Sequence, residues 1–156
     1  MRKAFRINGI VQGVGFRPFV ARIAKQLNLT GFVLNSGHGV YIEVQGEEHL
    51  VKVFEEKLNN EKPQESIYIE FDTWECEEIQ DEKDFVILAS ETNADVFTFI
   101  PPDLATCHDC VEEILTPSNR RYLYPLTNCT NCGPRYTVIE KLPYDRPNTS
   151  MKPFPL

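Results

Sequence analysis

Two sets of residues in this 156-residue chain have types and spacings that could do chemistry. The first is Val11-Gln12-Gly13-Val14-Gly15-Phe16-Arg17, between a strand-like run and an amphipathic stretch. Glycines at 13 and 15 free the backbone to turn sharply and to aim successive N–H groups at one place. Pro18 follows, with a fixed φ that suits a first helical position, and Phe19, Val20, Ile23, Ala24 and Leu27 recur at helical spacing. Amides gathered at a helix N-terminus favour an anion by geometry and by dipole. Arg17 adds a permanent cation whose planar fork matches two phosphate oxygens. The stretch therefore reads as a phosphate cradle built from Gln12, Gly13, Val14, Gly15, Phe16 and Arg17. It is not a dinucleotide fingerprint, because Pro18 stands where the third glycine belongs, and not a Walker loop, because no Gly-Lys-Ser/Thr follows. A plain strand–helix turn with Arg17 in solvent is the alternative for the same residues.

The second set is Cys107-His108-Asp109-Cys110 and Cys129-Thr130-Asn131-Cys132. Each Cys-x-x-Cys makes a knuckle that presents two thiolates to one metal ion, and residues 111–128 between the pairs match zinc-ribbon spacing. A redox pair of the thioredoxin kind is the rival, but it needs a βαβ context that this part of the chain lacks. Cys107, Cys110, Cys129 and Cys132 complete a tetrahedron, so His108 is not needed as a ligand. Four sulfurs leave no open position for water, which makes the expected zinc ion structural. Cys76, between Glu75 and Glu77, reads as an ordinary thiol. His38 and His49 read as solvated residues. Arg120, Arg121, Tyr122 and Tyr124, between the knuckles, either face a partner or cover the metal lobe, and covering is the plainer role.

The elements that must position these groups follow from periodicity. Phe5 and Ile7 alternate with Arg6 and Asn8 in a first strand. A helix is expected over about Pro18 to Asn28, a second strand over Gly31 to Asn35, a turn at Ser36-Gly37-His38-Gly39, and a third strand through Val40, Ile42 and Val44. A second helix starts near Gly46, buries Leu50, Val51, Phe54 and Leu58, and ends at Lys62-Pro63. Ile67, Ile69 and Phe71 alternate with Tyr68, Glu70 and Asp72 in a fourth strand that continues toward Trp74, and a shorter strand lies near Phe85 to Leu88. The order βαββαβ is that of a ferredoxin-like α+β sandwich. A β-α-β crossover makes the first two strands parallel, so the cradle and Asn35 should stand over one pocket at one sheet edge. From the residues alone, Asn35 before Ser36-Gly37 also reads as a turn residue.

Composition changes near residue 91. Residues 92–156 read as a linker with an apolar patch at Val96 to Ile100, then a proline-rich segment that excludes long helices and needs a metal staple. The expected domains are 1–91, the sandwich, and 92–156, a small irregular zinc-finger segment. Net charge is −7, which argues against a general nucleic-acid or membrane-surface binder. No run approaches the apolar length of a membrane span, and no apolar stretch follows the basic N-terminus to make a secretory signal. Five cysteines, four of them in two knuckles, suit a reducing cytoplasm and metal binding better than a disulfide framework.

Gln12-Gly13-Val14-Gly15-Phe16-Arg17, followed by Asn35 in Gly31-Phe32-Val33-Leu34-Asn35-Ser36 and by Gly39-Val40, resembles the acylphosphatase signature. The variant Gly15-Phe16-Arg17-Pro18-Phe19, with Cys-x-x-Cys pairs downstream, is similar to the N-terminal part of the hydrogenase maturation carbamoyltransferases. The resemblance implies an acylphosphatase-like fold, with Arg17 binding phosphate and Asn35 orienting the attacking water as the catalytic pair. It implies hydrolysis of an acyl phosphate, carbamoyl phosphate first, as a step toward the cyanide ligands of a nickel–iron hydrogenase, and a maturation protein as partner. The alternatives are a general acylphosphatase with a zinc-stabilised tail, and a phosphate- or partner-binding module without turnover. That family carries further knuckles, a nucleotide-binding module and a carbamoyl-transfer module, so the chain is expected to be an N-terminal segment. Each knuckle could then pair with a later one, or the two here could share one ion.

Overall fold

The computed structural model describes residues 1–91, 99–100, 102–129, 132–133, 136–142 and 145–154. Most of the apolar patch expected at 96–100, the centre of the second knuckle at Thr130 and Asn131, and Pro134, Pro143 and Pro155 lie outside the described residues.

Five strands and two helices form the first part: β1 (Arg2–Ile10), α1 (Phe16–Gln26), β2 (Thr30–Ser36), β3 (Gly39–Gln45), α2 (Glu48–Asn60), β4 (Ile67–Cys76) and β5 (Phe85–Ile87). They make one sheet in the order β4-β1-β3-β2-β5. The βαββαβ sandwich read from the sequence is present, with β5 added at the edge beside β2. Strand residues Phe5, Ile7, Val33, Val40, Ile42 and Val44 share one buried cluster with the helix stripes Val20-Ile23-Ala24 and Val51-Phe54-Leu58. Period-2 and period-3.6 apolar patterns thus meet on the same side of the sheet, where burying each large side chain contributes about 1.5–3 kcal/mol.

Two local readings shift. The first helix begins at Phe16 rather than Pro18, because Gly15, in the left-handed region at φ 73°, serves as its N-cap. Pro18 then occupies the third helical position, where a missing N–H costs nothing because first-turn amides have no intrahelical acceptor. In β4 the apolar alternation meets a bulge. Gly9 pairs with Tyr68 and Asn8 with Glu70, so Ile69 is skipped and the faces exchange. Ile67 and Ile69 are exposed, while Tyr68 and Phe71 pack on the core.

Among the described residues the second part holds one short helix, α3 (His108–Leu115), and two single 3₁₀ turns at Tyr136–Val138 and Arg146–Asn148. An isolated bridge joins Ile139 to Thr149. Among the described residues no helix is long and apolar enough to cross a membrane.

Candidate active site and metal centre

Strand direction decides where the chemistry-bearing residues gather. β1 and β2 are both antiparallel to β3, hence parallel to each other, and β5 is parallel to β2. The C-terminal ends of β1, β2 and β5 therefore come to one edge of the sheet. The cradle follows β1, Asn35 lies near the end of β2, and Ser90 follows β5. The β2–β5 ladder runs on past β5: the Leu88 amide donates to the Val33 carbonyl at 2.9 Å and the Glu91 amide to the Asn35 carbonyl at 2.9 Å. Ser90 is placed by those two bonds.

The cradle has the form that its glycines allow. Gly13 and Gly15 both have φ 73°, a region that residues with a Cβ rarely enter. Among the described residues, none of the amides from Gly13 to Arg17 donates a hydrogen bond. Gln12, 2% exposed, directs its side chain elsewhere: Nε2 donates to the Gly39 carbonyl at 2.9 Å and the Ser36 carbonyl at 3.3 Å, pinning the β2–β3 hairpin to the loop. Val14 is fully buried in the core cluster and does not line the cavity. Its side chain anchors the loop from below. Gly13, Gly15, Phe16, Arg17 and Asn35 do line one cavity of about 500 Å³.

Asn35 is 1% exposed, and its Oδ1 has no hydrogen-bond partner among the described residues. A buried acceptor without a donor is costly and rare in folded proteins. Here it belongs to a residue that lines the same cavity as Gly13, Gly15, Phe16 and Arg17, whose amides donate no hydrogen bond among the described residues. The arrangement can hold an anion and orient a hydrogen-bond donor, such as a water molecule, beside it.

The second part of the chain supplies one side of the cavity, where the sequence did not place it. Glu113, Arg121, Asn128, Asp145 and Arg146 contribute to its lining. Arg121 is paired with Glu113, and the Arg146 guanidinium reaches the Met151 carbonyl at 3.5 Å. Arg17 itself donates from Nη2 to Asp145 Oδ1 at 2.7 Å and from Nη1 to Ser90 Oγ at 3.3 Å. The only hint of such neighbours in the sequence is polarity, and many surface residues share that.

The four knuckle cysteines converge. Their sulfurs all lie within 4.8 Å of one another, with Cys107–Cys129 at 3.4 Å, Cys110–Cys132 at 3.7 Å and Cys129–Cys132 at 3.7 Å. A tetrahedral ion with sulfur ligands at about 2.3 Å sets its ligand atoms about 3.8 Å apart, so the set fits one metal ion. Burial, and then the neighbouring sulfurs, push the Cys110 thiol above its ordinary range. A bound cation reverses that balance by favouring thiolate. His108 is exposed on α3 and is not part of the group. The two knuckles bring their four sulfurs to one place, which is one of the two arrangements that the spacing left open. Gly133, just beyond the second knuckle, has φ 60°, and a Cβ there would stand 1.7 Å from the Gly13 carbonyl oxygen. The cysteine cluster thus lies next to the cradle.

The acylphosphatase family pattern matches residues 3–87, more than half of the chain. This chain belongs to the acylphosphatase family. The pattern named "HypF finger" matches residues 106–139, which carry all four cysteines. The chain is 49% identical over 149 residues to the probable carbamoyltransferase HypF of Methanocaldococcus jannaschii, covering 95% of this chain and 20% of that protein. A crystal structure of full-length HypF in a phosphate- and nucleotide-bound form superposes with a TM-score of 0.90 at 46% identity, over 99% of this chain and 20% of that one. The acylphosphatase from Bacillus subtilis gives a TM-score of 0.52 at 32% identity, over 56% of this chain and 97% of that one. The chain is therefore an acylphosphatase domain joined to a HypF finger, homologous to the N-terminal region of HypF carbamoyltransferases. It spans about a fifth of the length of those relatives.

Proposed function

We propose that this chain hydrolyses an acyl phosphate, carbamoyl phosphate first among them, at the site formed by the cradle, Arg17 and Asn35. In this reading Arg17 and Asn35 are the catalytic residues, and the amides of Gly13 to Arg17, with Gln12 bracing the loop, bind the phosphate. The observation that carries it is the Asn35 Oδ1: a buried acceptor without a partner among the described residues, on a residue that lines the same cavity as Gly13, Gly15, Phe16 and Arg17. Water donates a hydrogen to Asn35 and attacks phosphorus in line with the acyl oxygen. The P–O bond to the acyl group breaks, and carbamate and inorganic phosphate leave. The amides and Arg17 stabilise charge on the equatorial oxygens, and positioning and electrostatics carry most of the catalysis.

The four cysteines bind one zinc ion that is structural, since every tetrahedral position is taken by sulfur. We read the division between the two domains as falling near residue 91, and place the protein in the cytoplasm, where thiolates stay reduced. Within a longer carbamoyltransferase this segment would supply the carbamoyl group for nickel–iron hydrogenase maturation and meet a maturation protein as partner.

Phosphate release from carbamoyl phosphate and from acetyl phosphate tests the reading, with Arg17→Ala and Asn35→Ala beside the wild type. Each variant is expected to lose about 10²–10³-fold in kcat, the size typical for removing one preorganised charge-stabilising or orienting group. Faster turnover of acetyl phosphate than of carbamoyl phosphate would favour a general acylphosphatase. Saturable phosphate binding with no turnover would leave a binding module.

A further inference from the structure

Arg17 is the group on which anion binding turns, and it is not left to solvent. Its guanidinium is gripped by two residues that the sequence places 73 and 128 positions away, Ser90 and Asp145. The three groups close a ring. Asp145 Oδ1 accepts from Nη2 at 2.7 Å, Ser90 Oγ accepts from Nη1 at 3.3 Å, and the Ser90 hydroxyl donates to Asp145 Oδ2 at 2.5 Å. Ser90 is itself fixed to the β2 end that carries Asn35, through the Glu91–Asn35 backbone bond. Both ends of the Arg17–Asp145 ion pair are mostly out of water, at 23% and 29% side-chain exposure.

We propose that Asp145, brought by the finger segment, is a positioning residue for the acylphosphatase site: with Ser90 it holds the Arg17 guanidinium toward the cradle. The proposal rests on the acyl phosphate reading above and adds a residue from the second part of the chain to the working site. A guanidinium has five N–H donors in a fixed plane, and the ring uses one on each terminal nitrogen. Three donors stay available for phosphate oxygens. A carboxylate acting only as a competitor for the anion would take the fork with both oxygens, whereas Asp145 gives its second oxygen to Ser90. Arginine carries its charge on a long, flexible stem, so an orienting contact on one edge leaves less freedom to lose when an anion binds on the other.

Steady-state hydrolysis of carbamoyl phosphate by the full chain, with Asp145→Ala, Asp145→Asn and Ser90→Ala, tests this. Asp145→Ala is expected to lower kcat roughly tenfold or more, as misplacement of a catalytic group does, while KM moves less than about threefold. Asp145→Asn keeps an acceptor for Nη2 and is expected to retain at least about half of kcat. Ser90→Ala, which leaves the ion pair, is expected to lose about threefold and serves as the second reading should Asp145→Ala fail to fold. Wild-type kcat in Asp145→Ala, or tighter inorganic phosphate binding with kcat unchanged, would overturn the proposal and make Asp145 a competitor or a purely structural residue. The Arg17 guanidinium N–H resonances, assigned by their loss in Arg17→Lys, supply a readout independent of turnover. They are expected to be resolved in the wild type and Asp145→Asn and exchange-broadened in Asp145→Ala. If the wild type neither turns over nor binds inorganic phosphate, the acyl phosphate reading alone fails. The resonances then decide the proposal: loss in Asp145→Ala upholds it, and no change sinks it.

Discussion

The two parts of this molecule solve the problem of holding shape in different ways. In the sheet part, buried apolar side chains from β1 to β5, α1 and α2 form one continuous cluster that includes Phe5, Phe16, Ile23, Ile42 and Phe54. From residue 102 onward, the described hydrophobic residues that are buried come down to Cys110, Cys132 and Met151. Leu115 and Leu123 are 64% and 65% exposed. A segment of that size without a core needs a staple, and its cysteines converge on one centre. The difference is that the sheet part has a continuous apolar core, whereas the finger has a four-cysteine cluster that could hold a metal and a contact with the cradle in place of one.

The largest effect that could break this comparison is metal removal. Chelation, or Cys110→Ser, is expected to abolish order in the finger while β1–β5 stays folded, because binding and folding of such centres are coupled on the order of 10 kcal/mol. Metal content per chain and residue-resolved hydrogen exchange measure it, and a sheet that unfolds together with the finger would erase the distinction. Next in size is Phe54→Ala. Phe54 is fully buried, with its ring 5.6 Å from that of Phe5, so its truncation should cost the sheet about 3–5 kcal/mol in denaturant melts. Metal stoichiometry should not change. The smallest effect lies where the parts touch. Gly133→Ala places a Cβ against the Gly13 carbonyl at a positive φ and is expected to cost at least the roughly 1–2 kcal/mol of a left-handed residue in finger docking, read as weaker inorganic phosphate binding by calorimetry with the metal retained. Undiminished phosphate affinity would show that the cradle works without the finger against it.

Much of the site was legible before the fold. The glycines at 13 and 15, the helix stripe behind them and the crossover rule place the cradle and Asn35 at one edge. Each of those inferences uses contacts that are local or set by strand parity. The knuckles were legible because metal geometry demands a short ligand spacing. The misread details have local causes. Helix α1 starts at Phe16 because a left-handed Gly15 can cap it, and β4 turns Ile67 and Ile69 outward because a one-residue bulge reverses the faces. For Gln12 the sequence did not show that its side chain also donates to the hairpin carbonyls of Ser36 and Gly39 while the residue lines the cavity.

By itself the sequence determined the sandwich, the glycine turn ahead of the first helix and the presence of four cysteines at metal-ligand spacing, because period, spacing and turn chemistry act over a few residues and survive in any tertiary setting. Tertiary structure alone decided that the sulfurs of both knuckles meet at one place, that Gly133 abuts Gly13, and that Asp145 reaches Arg17 across 128 positions of chain. Those contacts depend on how one part docks on another, and polar surface residues carry no mark in the sequence of which partner they will meet.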